Sequence, residues 1–395
     1  MVGDRTAAAR HWAGLPSHRG EIEPFIVMDV MRAANKLEAR GEHVIHMEVG
    51  QPSTPAPKVA RMAAARALES DRLGYTDALG LPSLRARIAR HYKESHGLAI
   101  DPSRVIVTAG SSAGFVLAFL ALFDPGARVA LPSPGYPCYR HILTALGCEP
   151  VLMPTSVETR WMPTADLIDE AARRGKLAGL LVASPANPTG TMLTPERLTE
   201  IAAAAARHGI PFISDEIYHG LTYDAPAETA LSVSPDAIII NSFSKYFSMT
   251  GWRIGWMVVP DGLVRSLERL AQNLYISPTT ISQIAAEAAF DAGDELEGYK
   301  RLYAENREYL LDKLPKVGLG QLLPADGAFY LYADVSHWTN DSAALANRLL
   351  TEVGLAVTPG LDFDPARGRQ FIRLSYARSP ADMAEAVRRL GGWRP

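Results

Sequence analysis

The stretch NSFSKYFSMTGWRIGW, Asn241 to Trp256, decides how this chain is read. It follows the apolar run Ala237 to Ile240, bounded by Pro235 before it and a polar cluster after it, which reads as a buried strand. Lys245 therefore falls in a loop just past a strand end. Ser242 and Ser244 stand beside it, and Arg253 follows in the same Gly-containing segment. Hydroxyls donate to phosphate oxygens, a guanidinium forks them with charge-assisted hydrogen bonds, and a lysine amine condenses with an aldehyde. The set suits one ligand carrying both a phosphate and a carbonyl. As an isolated Ser-x-Ser-Lys it would equally be a solvated loop lysine near a surface arginine.

Pyridoxal 5'-phosphate carries both groups, and its sites use a Schiff-base lysine. The full string SFSKYFSMTGWRIGW resembles the lysine signature of the class I aminotransferases, fold type I pyridoxal-phosphate enzymes similar to aspartate aminotransferase. The resemblance implies an α/β fold. A large domain would carry a mostly parallel seven-stranded sheet flanked by helices, and a small α+β domain would draw on both termini. It divides the chain into an N-terminal segment, 1–48, packing with the small domain, a large cofactor domain, 49–293, and a small C-terminal domain, 294–395.

The remaining stretches bear on that implication one at a time. The pattern from Ile26 to Leu37 has helical spacing and closes at Gly41, and Val44 to Val49 reads as a strand ending at Gly50. A glycine at a strand end admits close approach of a ligand to backbone, or is a simple turn glycine; the resemblance assigns Gly50 to the substrate's carboxylate end. Tyr75 lies in a Gly/Asp-rich loop and by composition is a packing residue. In the family's YTxxxGxxxLR pattern this tyrosine reaches the phosphate held by the neighbouring subunit.

Strand Val105 to Thr108 runs through AGSSAGF into an apolar helix. Free N–H groups and the positive end of a helix dipole converge at such a junction, and Gly110, Ser111 and Ser112 match the family's phosphate-cradling turn. Tyr136, between Gly135 and Pro137, reads as held in a rigid turn past the strand Ala127 to Leu131. Its ring either packs in the core or stacks on a flat heterocycle, and the resemblance favours the cofactor ring. Asn187 in Asn-Pro-Thr-Gly is by itself a turn residue; the family's asparagine here binds the cofactor's phenolic oxygen and lies by the substrate.

SDEIYHGLTY is the second strong signature. A strand ending at Ser214 delivers Asp215 at its C-terminal edge, with Tyr218 three residues on. Asp215 alone would serve equally as a helix N-cap. Beside a pyridine nitrogen, opposite unit charges ~4 Å apart at an effective dielectric of about 20 attract by roughly 4 kcal/mol, which favours the protonated ring. Arg373 in FIRLSYA sits on an alternating strand, where an arginine is commonly an edge charge. In the family it forks the substrate α-carboxylate.

Composition narrows the alternatives. With 395 residues, two domains are expected. Forty basic and 43 acidic residues give a formal charge of −3 without blocks of like charge, so neither nucleic acid nor an anionic membrane is indicated as a partner. The two cysteines, Cys138 and Cys148, lack metal-ligand spacing and read as free thiols of a reducing compartment. His43 and His46 would lie on opposite faces of a strand with no third ligand near, and no metal is expected. Asp4, Arg5, Arg10, His11 and Arg19 interrupt the N-terminus with no apolar stretch of signal-peptide or membrane length, so a cytoplasmic enzyme is expected.

The resemblance implies transfer of an amino group between an L-amino acid and a 2-oxo acid in two half-reactions through a Schiff base on Lys245, with Asp215 and Tyr218 assisting. It also implies a homodimer with shared active sites. A pyridoxal-phosphate C–S β-lyase or decarboxylase would use the same residues. A non-catalytic cofactor-binding regulator would need an attached DNA-binding module, for which the N-terminus is too short. A nicotinamide dehydrogenase is disfavoured because no Gly-x-Gly-x-x-Gly follows a strand. Phe25, Ile26, Phe329 and Tyr330 are expected to line the substrate pocket, and their apolar character points to neutral or aromatic amino acids.

Overall fold

The computed structural model describes residues 14, 16–70, 72–320 and 322–395; the charges at Asp4, Arg5, Arg10 and His11 lie outside them. The strands, in chain order, are β1 Ile45–His46, β2 Val105–Thr108, β3 Arg128–Ser133, β4 Glu149–Pro154, β5 Gly179–Ala183 and β6 Phe212–Asp215. They continue with β7 Ile238–Ser242, β8 Gly255–Val258, β9 Tyr330–Asp334, β10 Leu355–Ala356, β11 Thr358–Pro359 and β12 Phe371–Ser375. The helices that matter most for the site are α1 Ile26–Glu38, α2 Lys58–Ser70, α3 Pro82–His96, α4 Gly110–Leu122 and α5 Pro137–Ala145. After these come α6 Ala165–Arg173, α7 Pro195–Arg207, α8 Asp261–Leu274, α9 Thr280–Ala289, α10 Gly293–Lys313, α11 Ser342–Val353 and α12 Pro380–Gly392.

A seven-stranded sheet has the order β2-β8-β7-β6-β5-β3-β4. Strand β8 is antiparallel to both neighbours, β2 and β7, while the other pairings are parallel. Every strand but β8 therefore points the same way, and their C-terminal ends share one edge. Both faces of this sheet are covered, which is why its strands read as unbroken apolar runs. Val105, Val107, Leu180, Val182 and Ile239 face one core with α2, α3, α7 and α9. Ile106, Leu181, Ile213, Ile238 and Ile240 face a second core with α4, α5 and α8.

A smaller antiparallel sheet, β11-β12-β9, packs Ile372, Leu374, Leu331 and Ala333 against α11 and α12. Strand β12 alternates, so Arg373 points away from that core, opposite Thr358 on one side and Tyr332 on the other. The N-terminal part joins this region: β1 runs parallel to β10, and Ala34 and Val44 share a small core with Leu350 and Ala356. Along α10 the packing changes partner, Leu296 belonging to the large-sheet core and Tyr303 and Leu310 to the small one.

Two readings need correction. The strand expected from Val44 to Val49 pairs only at Ile45 and His46, because its partner β10 is itself two residues long. His43 and His46 are each engaged by side chains of this region: His43 Nδ1 accepts from Arg389 at 2.9 Å, and the His46 ring lies between Glu38 and Glu48 at 3.2 and 2.8 Å. The turn at Tyr136 opens directly into a helix, α5, with Pro137 in its first turn and Tyr136 at its N-cap. Proline's fixed φ favours that position, so a residue read as a turn constraint is a helix start.

Candidate active site

The shared C-terminal edge of the large sheet opens into a cavity with an empty volume of about 750 Å³, counting its mouth. Five of the six strands pointing at it contribute, at their last residue or through the loop that follows; β4, at the sheet edge, does not. From β2 come Ser111 and Ser112, from β3 Tyr136, from β5 Asn187, from β6 Asp215 and Tyr218, and from β7 Ser244 and Lys245. Ligands collect at this edge in open α/β sheets because loops, free N–H groups and helix starts converge there. Arg253, Gly50, Tyr330 and Arg373 complete the polar lining.

Lys245 Nζ donates to the carbonyl oxygen of Gly50 at 2.6 Å. Burial, aided by the positive charges of Arg373 and Arg253 and opposed by Asp215, lowers its pKa to about 8. The amine is thus available unprotonated to a useful degree near neutral pH. The room a side chain at Gly50 would take is filled by the Tyr330 hydroxyl, which would lie 1.6 Å from a Cβ. Gly50 is therefore required by Tyr330 rather than by ligand approach alone.

Asp215, 3% exposed, accepts from the Ile217 N–H at 3.1 Å and from the Tyr139 hydroxyl in a short hydrogen bond. Burial pushes its carboxyl up to about 6, with those two donors pulling the other way. No ion pair among the described residues includes it. A buried carboxylate without a cation in contact is costly unless a positive partner arrives.

Arg373 presents the complementary case. It is 2% exposed, Nη1 donates to Asn187 Oδ1 at 2.8 Å, and Nη2 donates to Thr358 Oγ1 at 3.2 Å and to the Glu48 carbonyl. The guanidinium lies over the rings of Tyr330 and Phe363, 4.4 and 4.7 Å from their centroids. Its Nε has no partner, and among the described residues no ion pair neutralises it. The Asp362 carboxylate is near enough to feel its charge but not in contact, and a buried guanidinium with a free N–H facing a cavity is a receptor for a carboxylate.

At the other end lies an anion cradle. Helix α4 begins without a side-chain cap, so its first-turn N–H groups have no side-chain acceptor of their own. Ser111, Ser112, Ser244, Thr250 and Arg253 line the space around it. Gly110 takes φ +79°, and a Cβ there would sit 2.5 Å from Arg253 Nη2. Glycine alone lets the helix start and the guanidinium approach this closely.

Most of the residues singled out from the sequence meet in this cavity, with departures at Ser242, Tyr75, Ile26 and Phe329. The Ser242 hydroxyl is spent inside the loop, donating to the Ile254 carbonyl at 3.1 Å with Ser244 Oγ 2.9 Å away, and it does not line the cavity. It shapes the turn that presents Ser244 and Lys245. The Tyr75 ring is 83% exposed and outside this chain's cavity. In the pocket wall, Phe25 and Tyr330 are present as expected, but Val27 and Met28 stand where Ile26 was expected. Phe329 is fully buried between Tyr218 and Tyr303 in the small core, in the turn just before β9, whose first residue, Tyr330, lines the cavity.

One functional side chain escaped the sequence reading and another was read only in part. Tyr139 lies one turn after Tyr136 on α5, and the Tyr-x-x-Tyr spacing once read as helical puts both rings on one face. Tyr330 was placed in the pocket but not paired; its hydroxyl is 2.8 Å from that of Tyr218. Burial raises the Tyr218 phenol well above its usual value, so it stays a hydroxyl.

Together these groups fit a flat phosphorylated aldehyde: a reachable amine, a buried carboxylate lacking its cation, an uncapped helix start with hydroxyls and a guanidinium, and an aromatic wall. Comparison with known proteins agrees. Residues 42–390 match the family model described as aminotransferase class I and II. The chain is 49% identical over 381 residues to a valine–pyruvate aminotransferase of Mycobacterium tuberculosis, covering 95% of this chain and 98% of that protein. A solved aminotransferase from Mycobacterium tuberculosis superposes with a TM-score of 0.93 at 48% identity, over 96% of this chain and 98% of its own. Aspartate aminotransferase from Thermus thermophilus, solved with maleate, gives 0.91 at 32% identity, over 96% and 100%.

Proposed function

The chain belongs to the class I and II aminotransferases, which are pyridoxal-phosphate-dependent enzymes, and from that premise we propose that it transfers the amino group of small, uncharged amino acids such as valine to pyruvate. The observation that carries this is the set of cations in the cavity: Lys245, Arg253 and Arg373. Arg253 belongs to the anion cradle and Arg373 is the receptor for the α-carboxylate. That leaves no arginine or lysine in the lining for a second carboxylate, while Phe25, Val27, Met28 and Ile217 offer an apolar surface. The name of the Mycobacterium tuberculosis relative points to the same substrate pair.

In this reading the tasks divide among the lining residues. Ser111, Ser112, Ser244 and Arg253 would hold the cofactor phosphate, and Gly110 the backbone that presents it. Tyr136 would cover the ring, Asp215 would hold its nitrogen, and Asn187 and Tyr218 its phenolic oxygen. Pyridoxal phosphate supplies the aldehyde that takes up the amino group and a ring that withdraws electrons from the substrate's α-carbon. Arg373 forks the α-carboxylate, its Nη1 fixed by Asn187, which orients the substrate for proton removal. Lys245, with its pKa near neutrality, accepts the proton from the α-carbon and returns it on the far side of the transfer. Asp215 is kept ionised by Tyr139 and the Ile217 N–H against the effect of burial.

The same reading divides the chain at about residue 49 and residue 294, supported by β1 pairing with β10 and by the change of core along α10. It also makes the enzyme a homodimer, supported by the exposed Tyr75 ring, which in a second copy would complete the anion cradle. No helix among the described residues is long and apolar enough to cross a membrane. The free cysteines Cys138 and Cys148 support a reducing compartment, and we place the enzyme in the cytoplasm. A panel of amino donors against pyruvate and 2-oxoglutarate tests the substrate class. Valine and other neutral donors are expected to exceed aspartate and glutamate in kcat/KM, and turnover confined to the two acidic donors would overturn the assignment.

A further inference from the structure

We propose that Asp362 is a positioning residue for substrate selection, holding the first turn of α1 in place as one wall of the cavity without touching substrate itself. The inference rests on the reading that the amino donor binds in the Lys245 cavity.

The first turn of a helix leaves N–H groups that need acceptors. Helix α1 starts with Phe25 at its N-cap, a residue with no acceptor in its side chain. The acceptors come from the other end of the chain. Asp362 Oδ1 takes the Ile26 N–H at 3.3 Å and Oδ2 takes the Val27 N–H at 3.1 Å, across 336 and 335 residues of sequence. The carboxylate is fully buried, and a negative charge at a helix N-terminus is favourable for the helix dipole as well.

What that carboxylate fixes is the pocket wall. Phe25, Val27 and Met28 line the cavity, and the Phe25 ring meets Tyr136 edge-on, with centroids 5.7 Å apart. The same short segment is bound to the rest of the site. Arg140 Nη2 donates to the Asp362 carbonyl at 2.7 Å, and the Gly135 N–H donates to the Phe363 carbonyl at 3.0 Å, next to Tyr136. Just before it, Thr358 accepts from Arg373. Residues 358–363 therefore link the α-carboxylate receptor, the aromatic cover and the apolar wall. The wall itself hangs from the two hydrogen bonds to Asp362. A side chain that fills the space against the wall depends on those bonds; one that stops short of it does not.

The test uses the cofactor-loaded enzyme with Asp362→Ala and Asp362→Asn. Loss of a cap weakens a helix start by ~0.5–2 kcal/mol, so the valine-to-alanine ratio of kcat/KM is expected to fall by about 2- to 30-fold in the alanine variant. The fall should come through KM, with kcat for alanine unchanged within about twofold. Asparagine, which keeps one oxygen acceptor, should fall between. Amide hydrogen exchange of a peptide spanning 26–30 should quicken in both variants while one spanning 238–245 does not. An unchanged donor ratio with faster exchange would make Asp362 a structural cap only, and unchanged exchange would show that it does not hold the turn; either result overturns the proposal. If the unaltered enzyme ignores valine, the substrate assignment fails on its own, and the ratio is then read for its best donor against alanine.

Discussion

The floor of the cavity and its outer wall are held by different means. The floor residues are attached within a few positions to strands of a sheet covered on both faces: Asp215 is the last residue of β6, and Lys245 follows β7 by three. Moving any of them would disturb backbone pairing and a close-packed core. The wall, Phe25 to Met28, opens helix α1 near the N-terminal end of the described chain, and the backbone of its first turn is tied to one remote carboxylate. The difference assigns chemistry to the part that cannot shift and selectivity to the part that can.

The sharpest way to break this contrast is at Lys245. Substituting Lys245→Ala removes the amine but leaves the strand end and its neighbours, so transamination of every donor should fall together by on the order of 10⁴-fold, the upper end of what positioned proton transfer contributes. Steady-state amino transfer, with the absorbance of the bound cofactor as a check on loading, measures it. A variant keeping full activity would remove Lys245 from the chemistry.

A smaller effect separates the floor from the wall. Arg373→Lys keeps a positive charge but loses the fork and its bonds to Asn187 and Thr358. Losing a charge-assisted hydrogen bond of ~1.5–3 kcal/mol should raise KM about 10- to 100-fold. The rise should be nearly equal for valine and alanine, because all amino acids share the α-carboxylate. If the order of donors changes instead, the carboxylate receptor and the side-chain wall are not separate devices.

The contrast also explains what could be read in advance. Floor residues announce themselves locally: an apolar run ends, and a lysine, a carboxylate or a Gly-Ser-Ser loop follows within a few residues. The parallel large sheet was legible for the same reason, since strands buried on both faces leave continuous apolar runs. Residues defined by contact rather than by neighbours were not. Asp362 caps a helix at the opposite end of the chain, and nothing near it in sequence shows this. Tyr139 became visible only once Pro137 was seen to start a helix. Ser242 and Phe329 were misplaced because one hydroxyl closes its own loop and one ring turns into the small core just before β9 begins.

The smallest expected effect lies behind the wall, at His46. Its ring bridges Glu38 and the buried Glu48, whose backbone carbonyl receives Arg373. The hydrogen bond that the His46 ring donates to the Glu48 carboxylate chiefly raises the His46 pKa above its ordinary value; burial and the charge of Arg378 oppose this, and Glu38 adds to it. Because the folded-state pKa is the higher one, the stability His46 contributes is fully present below its unfolded-state value and is lost as pH rises through the folded-state value. His46→Gln should therefore destabilise the protein by on the order of 1 kcal/mol in mildly acidic buffer and by clearly less at alkaline pH. Urea denaturation of both proteins at the two pH values measures the difference. Since β1 also pairs with β10 through backbone alone, the variant should leave kcat near its original value at either pH. A gap between the two proteins that widens toward alkaline pH would reverse the sign and show that the imidazole is held neutral, with Glu48 deriving no support from its charge.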